Sequence, residues 1–278
     1  MCTTLAALGV AFWPVAPSAE APHFRSGAND VSSRSADPSK PAASLPSEID
    51  LRGRHLFLRH CAICHGRWGD GRGEMALGMR PRPRNFTTGL FKFRSTPAGS
   101  LPTDDDLRRT IRNGIANSSM PTFGLLTEDE VTALVAYLKT LSPRWKDPAH
   151  LTPALPREVA PAWLGETAAA APHVTEGGVS FVTYCAPCHG ASGEGNGAAA
   201  SSLEDFWHQP CPPADLTIPA YKSGSEPEDI YRTLNTGLDG SPMPEFRTSL
   251  SPAQRWNLVA YVLSLRSHSS RTEAAAGQ

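Results

Sequence analysis

A surplus of either charge is what this sequence most lacks: 26 Lys and Arg stand against 27 Asp and Glu in 278 residues, a net charge of −1. A dedicated nucleic-acid binder needs a basic surplus, so no nucleic-acid partner is expected. Long apolar runs are also missing; the run from Leu5 to Val15 is too short to span a bilayer. Aromatic content is only 8% and hydrophobic content 40%, enough for globular cores but not for rich ones. The first 21 residues hold no Lys or Arg, so a secretory leader would lack its basic start. Even so, Leu5 to Val15 followed by Pro17-Ser18-Ala19-Glu20-Ala21 has the shape of a leader's apolar region and small-residue cleavage zone. Residues 1–21 are therefore expected to be a signal peptide and the protein periplasmic.

Cysteine is scarce as well, and its placement is informative. Four of the six cysteines fall in Cys61-Ala62-Ile63-Cys64-His65 and Cys185-Ala186-Pro187-Cys188-His189. Cys-x-x-Cys-His is the attachment signature of c-type haem. Two thiols about one helical turn apart add across the two vinyl groups of the porphyrin, and the adjacent imidazole binds the iron. A zinc site would pair two such motifs over roughly 15–20 residues, whereas these lie 124 positions apart. A thioredoxin-like dithiol needs a βαβ setting that the flanks do not offer. Two haem c groups per chain are expected. Cys2 and Cys211 are left over; Cys211, in Gln209-Pro210-Cys211-Pro212-Pro213, reads by default as a buried, inert thiol.

The flanks of the two motifs repeat each other. Gly53 and Phe57 precede Cys61 as Gly177 and Phe181 precede Cys185, and Gly69-Asp70-Gly71-Arg72-Gly73 corresponds to Gly193-Glu194-Gly195-Asn196-Gly197. Pro83-Arg84-Asn85-Phe86-Thr87 matches Pro213-Ala214-Asp215-Leu216-Thr217, after six extra residues around Trp207 and Cys211 in the second copy. Short helices are expected at Asp104–Arg112 and Glu226–Asn235, each ending near a glycine, Gly114 or Gly237. Then come Met120-Pro121 and Met243-Pro244, 55 and 54 residues after their histidines. Capping boxes open three helices: Ser47-x-x-Asp50, Thr127-x-x-Glu130 and Ser251-Pro252-x-Gln254. Apolar stripes at helical spacing, Val131, Leu134, Val135, Leu138 and Leu141 in one half and Leu258, Val259, Val262 and Leu265 in the other, mark the closing helices.

With no strand pattern, the chain is expected to be mostly α. The expected organisation is a disordered tether at 22–47, a domain at 48–145, a linker at 146–172, a second domain at 173–266 and a disordered tail at 267–278. The linker is rich in Pro and Ala, and prolines at 148, 153, 156, 161 and 172 are expected to exclude a regular helix there. Its two flanking domains differ in charge: residues 48–145 carry 15 basic and 10 acidic side chains, and residues 173–266 carry 5 and 10. Each methionine stands in a polar, proline-bearing loop rather than on an apolar helix face. A soft thioether there suits iron, so Met120 and Met243 are candidate axial ligands. His55, His60 and His208 are weaker candidates, without counterparts in the other half. Arg80, Arg82, Arg84, Lys92 and Arg94 form a basic cluster that either pairs with haem carboxylates or faces solvent.

Gly-x-x-x-Phe before Cys-x-x-Cys-His, the glycine-rich loop after it, the Met-Pro loop and a last helix bearing Tyr137 or Tyr261 resemble class I cytochrome c. The resemblance covers 48–145 and 173–266, once in each, and implies two tandem class I cytochrome c domains. It implies small helical shells whose first and last helices cross at Gly53 or Gly177. It also implies Cys61, Cys64, His65 and Met120 as the holders of one haem and Cys185, Cys188, His189 and Met243 of the other. The expected function is single-electron transfer between redox partner proteins, not enzymatic catalysis, because an iron with both axial positions filled has none left for a substrate. A dihaem enzyme of peroxidase or thiosulfate dehydrogenase type, or a cytochrome subunit of a larger dehydrogenase or molybdoenzyme complex associated peripherally with a membrane, is the alternative.

Overall fold

The computed structural model describes residues 47–218 and 220–276, with side chains described up to 266. The expected signal peptide and all of the expected tether but Ser47 lie outside the described residues. Among the described residues there are eight α-helices, in two sets of four: α1 (Glu48–His60), α2 (Ala62–His65), α3 (Asp104–Asn113) and α4 (Glu128–Thr140), then α5 (Thr167–Tyr184), α6 (Ala186–His189), α7 (Pro227–Thr236) and α8 (Pro252–Ala276). Among the described residues there is no strand, only an isolated antiparallel bridge between Glu204 and Pro210. No described helix is long and apolar enough to cross a membrane.

Each set encloses its own core. In domain 1 Phe57, Leu101, Val131, Leu134 and Val135 are almost wholly buried; in domain 2 Phe181, Tyr231, Leu258 and Val259 are. The expected stripes are thus the inward faces of α4 and α8. The first and last helices of each set cross at a glycine. A Cβ at Gly53 would stand 2.0 Å from the carbonyl oxygen of Ala133, and one at Gly177 2.0 Å from that of Asn257. Only glycine lets the backbones approach so closely. The three capping boxes form: Asp50 N donates to Ser47 Oγ (3.2 Å), Glu130 N to Thr127 Oγ1 (3.3 Å) and Gln254 N to Ser251 Oγ (3.3 Å).

A fourth box starts α3, where Asp106 does more than cap. Its Oδ2 accepts from Ser95 N (2.8 Å), Ser95 Oγ (2.8 Å) and Thr103 N (3.0 Å), and Oδ1 pairs with Arg109 (2.6 Å). Burial opposes the ionised form, but these donors outweigh it and hold the Asp106 carboxyl below its ordinary 3.8. A depressed folded pKa means that the stabilisation is complete above the unfolded value and drains away as pH falls through the folded one. Asp106→Asn should cost about 2–4 kcal/mol at neutral pH by leaving buried donors unmatched. It should also flatten the acid limb of a stability-versus-pH curve below about pH 4; an unchanged acid limb would show that Asp106 is not the group that titrates.

Two expectations about order are corrected. The helix α5 begins at Thr167 and runs through Pro172, inside the stretch expected to exclude helix. Proline frees the carbonyl of Ala168, and Ala168 is exposed, so water can satisfy that oxygen; the surrounding alanines favour helix. The rest of 146–172 is tied down rather than loose. Leu101 N donates to His150 O (2.9 Å), Leu155 N to Ser95 O (2.8 Å) and Ala160 N to Glu228 Oε1 (3.2 Å), while Trp163 stacks on His173 at 3.7 Å. At the far end α8 extends to Ala276, through most of the stretch 267–278 expected as a disordered tail; Glu273-Ala274-Ala275-Ala276 is made of strong helix formers.

The two domains pack on each other reciprocally. Asn117, in the loop before Met120, donates from Nδ2 to Ala220 O (2.7 Å). Gly240, which holds the same place before Met243, lies against Leu90, the counterpart of Ala220; a Cβ there would stand 3.8 Å from Leu90 Cβ. Each methionine loop thus rests on the other domain's segment between its haem motif and its third helix. The contact made by Arg94 breaks the symmetry. Arg94 is 1% exposed, pairs with Asp239 at 2.9 Å, and donates to Thr236 O (2.5 Å), Phe91 O (3.2 Å) and Pro97 O (3.2 Å). Its counterpart in domain 2 is Gly224.

Candidate haem sites

Both attachment motifs are built alike, bond for bond. Cys61 N donates to Phe57 O (2.8 Å) and Cys185 N to Phe181 O (2.8 Å), which carries each first helix into its motif. The single turns α2 and α6 place the second cysteine and the histidine: His65 N donates to Cys61 O (2.9 Å) and His189 N to Cys185 O (2.8 Å). The glycine-rich loops then fold back, with Gly71 N donating to His65 O and Gly195 N to His189 O, both at 2.7 Å.

The imidazoles are oriented in the same way. His65 Nδ1 lies 2.9 Å from the carbonyl oxygen of Arg84, and His189 Nδ1 2.9 Å from that of Ala214. A carbonyl only accepts, so Nδ1 carries the hydrogen and Nε2 keeps its lone pair. This is the outer-sphere bond that metal-binding histidines usually make. Burial lowers the pKa of both histidines, which keeps the rings neutral, as ligation requires. His65 is further held by stacking on Phe86, ring centroids 4.5 Å apart.

The first thiol of each motif is not poised as the thiolate that a redox dithiol needs. Burial, with Cys64 adding to it, pushes Cys61 up to about 12; burial and Cys188 do the same to Cys185. Such thiols hold almost no thiolate at neutral pH. Among the described residues no three His, Cys, Asp or Glu side chains come together as a metal site, so neither motif completes a zinc cage.

The methionine loops match as well. Gly114 (φ +64°) and Gly237 (φ +61°) end α3 and α7 in a backbone conformation that side chains disfavour. Ile115 N then donates to Met120 O (3.1 Å), and Leu238 N to Met243 O (3.0 Å). Phe123 N to Ile111 O (3.1 Å) and Phe246 N to Leu234 O (2.7 Å) close the loops. Both methionines are half-buried. Of the weaker candidates, His55 is exposed, His60 packs edge-on against Phe123, and His208, 90% exposed, sits 3.4 Å from Glu204.

These residues fit a haem c group: two cysteines one turn apart, a neutral imidazole with a free Nε2, and a thioether on a fastened loop. Two buried donors of domain 1, Arg82 Nε and Trp145 Nε1, have no acceptor within the protein.

The basic cluster is not a solvated face. Arg80 is exposed, but the Arg82 guanidinium lies 5.9 Å over the ring of Trp207, and Arg84 and Lys92 meet Asp205 and Cys211 of domain 2. The six-residue insertion is what reaches across. Asp205 Oδ1 accepts from Trp207 N (2.8 Å) and Gln209 N (3.2 Å), forming a tight turn that sets Trp207 against Gly71. Cys211 Sγ lies 4.0 Å from Lys92 Nζ. The sequence marks this insertion only by its length; its target is a surface of the other domain.

Fold and motifs together define a tandem c-type cytochrome, whose domains imply covalently bound haem c. The chain belongs to the cytochrome c oxidase, cbb3-type, subunit III family, whose family model matches residues 50–138 and 172–262. It is similar to the cbb3-type cytochrome c oxidase subunit CcoP of Azospirillum brasilense, 26% identical over 214 residues, 77% of this chain and 61% of the relative. It is also similar to the subunit FixP of Azorhizobium caulinodans, 26% identical over 229 residues, 80% of this chain and 61% of the relative. The matched part therefore spans about three-fifths of those relatives. Among solved structures, a chain of the Kuenenia stuttgartiensis reducing HAO-like protein complex superposes with a TM-score of 0.73 at 38% identity, covering 80% of this chain and 99% of that one. The family is one of cytochrome c subunits that transfer electrons.

Proposed function

We propose that this chain carries two haem c groups, one held by Cys61, Cys64, His65 and Met120 and the other by Cys185, Cys188, His189 and Met243, and passes single electrons between protein partners in the periplasm. The observation that carries this reading is the bond-for-bond duplication of both sites, methionine loops included. Neither site departs from the other in a way that would leave one iron open. When bound, haem c supplies a one-electron iron couple, and Met/His ligation sets that couple high. The protein's part is to orient each imidazole through a backbone carbonyl, keep it neutral, and exclude water. Relatives named as subunits of a cytochrome oxidase and a chain from a multi-protein complex favour work as a subunit, docked on a larger redox assembly, over a freely diffusing shuttle.

The test is made on protein matured with a haem-attachment system. Denaturing mass spectrometry should show two haem additions, and carbon monoxide should leave the ferrous spectrum unchanged. One addition, or a carbon monoxide-sensitive fraction equal to one haem, would move the protein to the enzyme class.

A further inference from the structure

The two domains form an internal control for what this fold requires of its surface. In domain 1 the 3₁₀ turn Glu74–Gly78 folds back on α2: Gly73 N donates to Cys64 O (3.2 Å), and a Cβ at Gly73 would stand 2.3 Å from Ile63 O. Domain 2 repeats this, with Gly197 N donating to Cys188 O (3.1 Å) and the same crowding against Pro187 O at 2.4 Å. The scaffold is the same and the side chains on it are not.

Ile63, Trp68, Met75 and Leu77 are 51%, 66%, 53% and 76% exposed around the first attachment motif. Their counterparts are Pro187, Ser192, Ala199 and Ser201. Two exposed arginines edge the patch: Arg67, whose guanidinium lies 5.6 Å over the Trp68 ring, and Arg72. Their counterparts are Ala191 and Asn196, both uncharged. Asp70 and Glu74 are the acidic neighbours, and Asp70 Oδ1 is engaged by Arg72 N at 3.1 Å. Domain 2 closes its core without large side chains at these positions, so in domain 1 they serve no packing need. Large exposed apolar side chains gathered around one motif, with charge beside them, mark an interaction site.

We infer that the face formed by Ile63, Trp68, Met75 and Leu77, edged by Arg67 and Arg72, is the docking surface for a redox protein presenting an apolar face ringed with carboxylates. This rests on the electron-transfer reading above and adds a direction to it: partners of that chemistry exchange electrons through domain 1. Trp and Arg are the residues that most often dominate interface energy. Asp70 and Glu74 offset Arg67 and Arg72 in number, so the steering of an acidic partner comes from the basic surplus of domain 1 as a whole, 15 against 10, and fades with salt.

The test uses the full-length haem-loaded chain and reduced flavodoxin, a small acidic one-electron protein, as the probe. The variant Trp68→Ser/Met75→Ala/Leu77→Ser, which imports the residues of domain 2, should lower the second-order rate about tenfold or more. Arg67→Ala/Arg72→Asn should lower it at low salt and weaken its salt dependence. Reduction by dithionite should be the same in all three proteins. An unchanged flavodoxin rate overturns the inference, and so does a dithionite rate that falls in parallel. A chain that sediments as a dimer and becomes monomeric in the triple variant assigns the patch to a second copy instead. A wild-type chain that neither reagent reduces rejects the electron-transfer reading itself.

Discussion

If the proposed ligation holds, Met120→Ala should convert one iron of the pair to a high-spin state and Met243→Ala the other, each visible as loss of half the low-spin signal. The proposed ligand is a soft thioether that favours ferrous iron, so its removal lowers that haem's potential. The fall should be on the order of 100 mV, within the roughly 0.8 V that axial ligands span. The loop itself should survive the change, since its fastening is backbone: Ile115 N to Met120 O and Leu238 N to Met243 O do not use the side chain. A His replacement should restore the low-spin state at a potential below wild type. The potentials of both haems, read by redox titration, decide the matter. A variant that keeps the wild-type spectrum and titration would show that its methionine is not the ligand.

Loss of the Arg94–Asp239 pair is the second large effect expected. Arg94 carries a full charge at 1% exposure, and its partner belongs to the other domain. Removing one member of a buried pair leaves the other charge uncompensated, at a cost of about 3–5 kcal/mol. For a chain of this size that lowers the melting temperature by about 10 °C, taking 2–4 °C per kcal/mol. Arg94→Met and Asp239→Leu should each show this loss. Made together they should cost clearly less than the two losses added, because neither charge is then stranded. Asp239 lies in the loop that ends at Met243, so the single variants should also split the thermal transition of the loaded chain into two. Strict additivity of the two substitutions would show that the two charges are not coupled across the domain boundary.

What was legible in the sequence depended on how local the cause was. Cys-x-x-Cys-His, the capping boxes and the glycine at each helix crossing are short patterns whose chemistry acts over one or two turns. Their duplication made them readable twice. The outer-sphere bond to each histidine was not legible, because the accepting carbonyls of Arg84 and Ala214 belong to the backbone and leave no mark in side-chain identity. Nor was the domain interface. Arg82, Arg84 and Arg94 look like a solvated basic face until the insertion bearing Asp205 and Trp207, and the loop bearing Asp239, are seen against them. The opposite charges of the two halves pointed that way, and part of that contrast is spent in this contact. Pro172 misled for the opposite reason: a strong local rule against helix gave way where the freed carbonyl faces water.

The reciprocal seating of the two methionine loops has a consequence for how this surface is able to vary. In a symmetric homodimer every residue serves both sides of the contact, so an arginine at one place demands an aspartate elsewhere in the same sequence, twice over. Within one chain that obligation lapses. Arg94 meets Asp239, while the mirrored places hold Gly224 and Ala116, and no charge is needed there. Covalent linkage thus turns one two-fold surface into two independently adjustable ones.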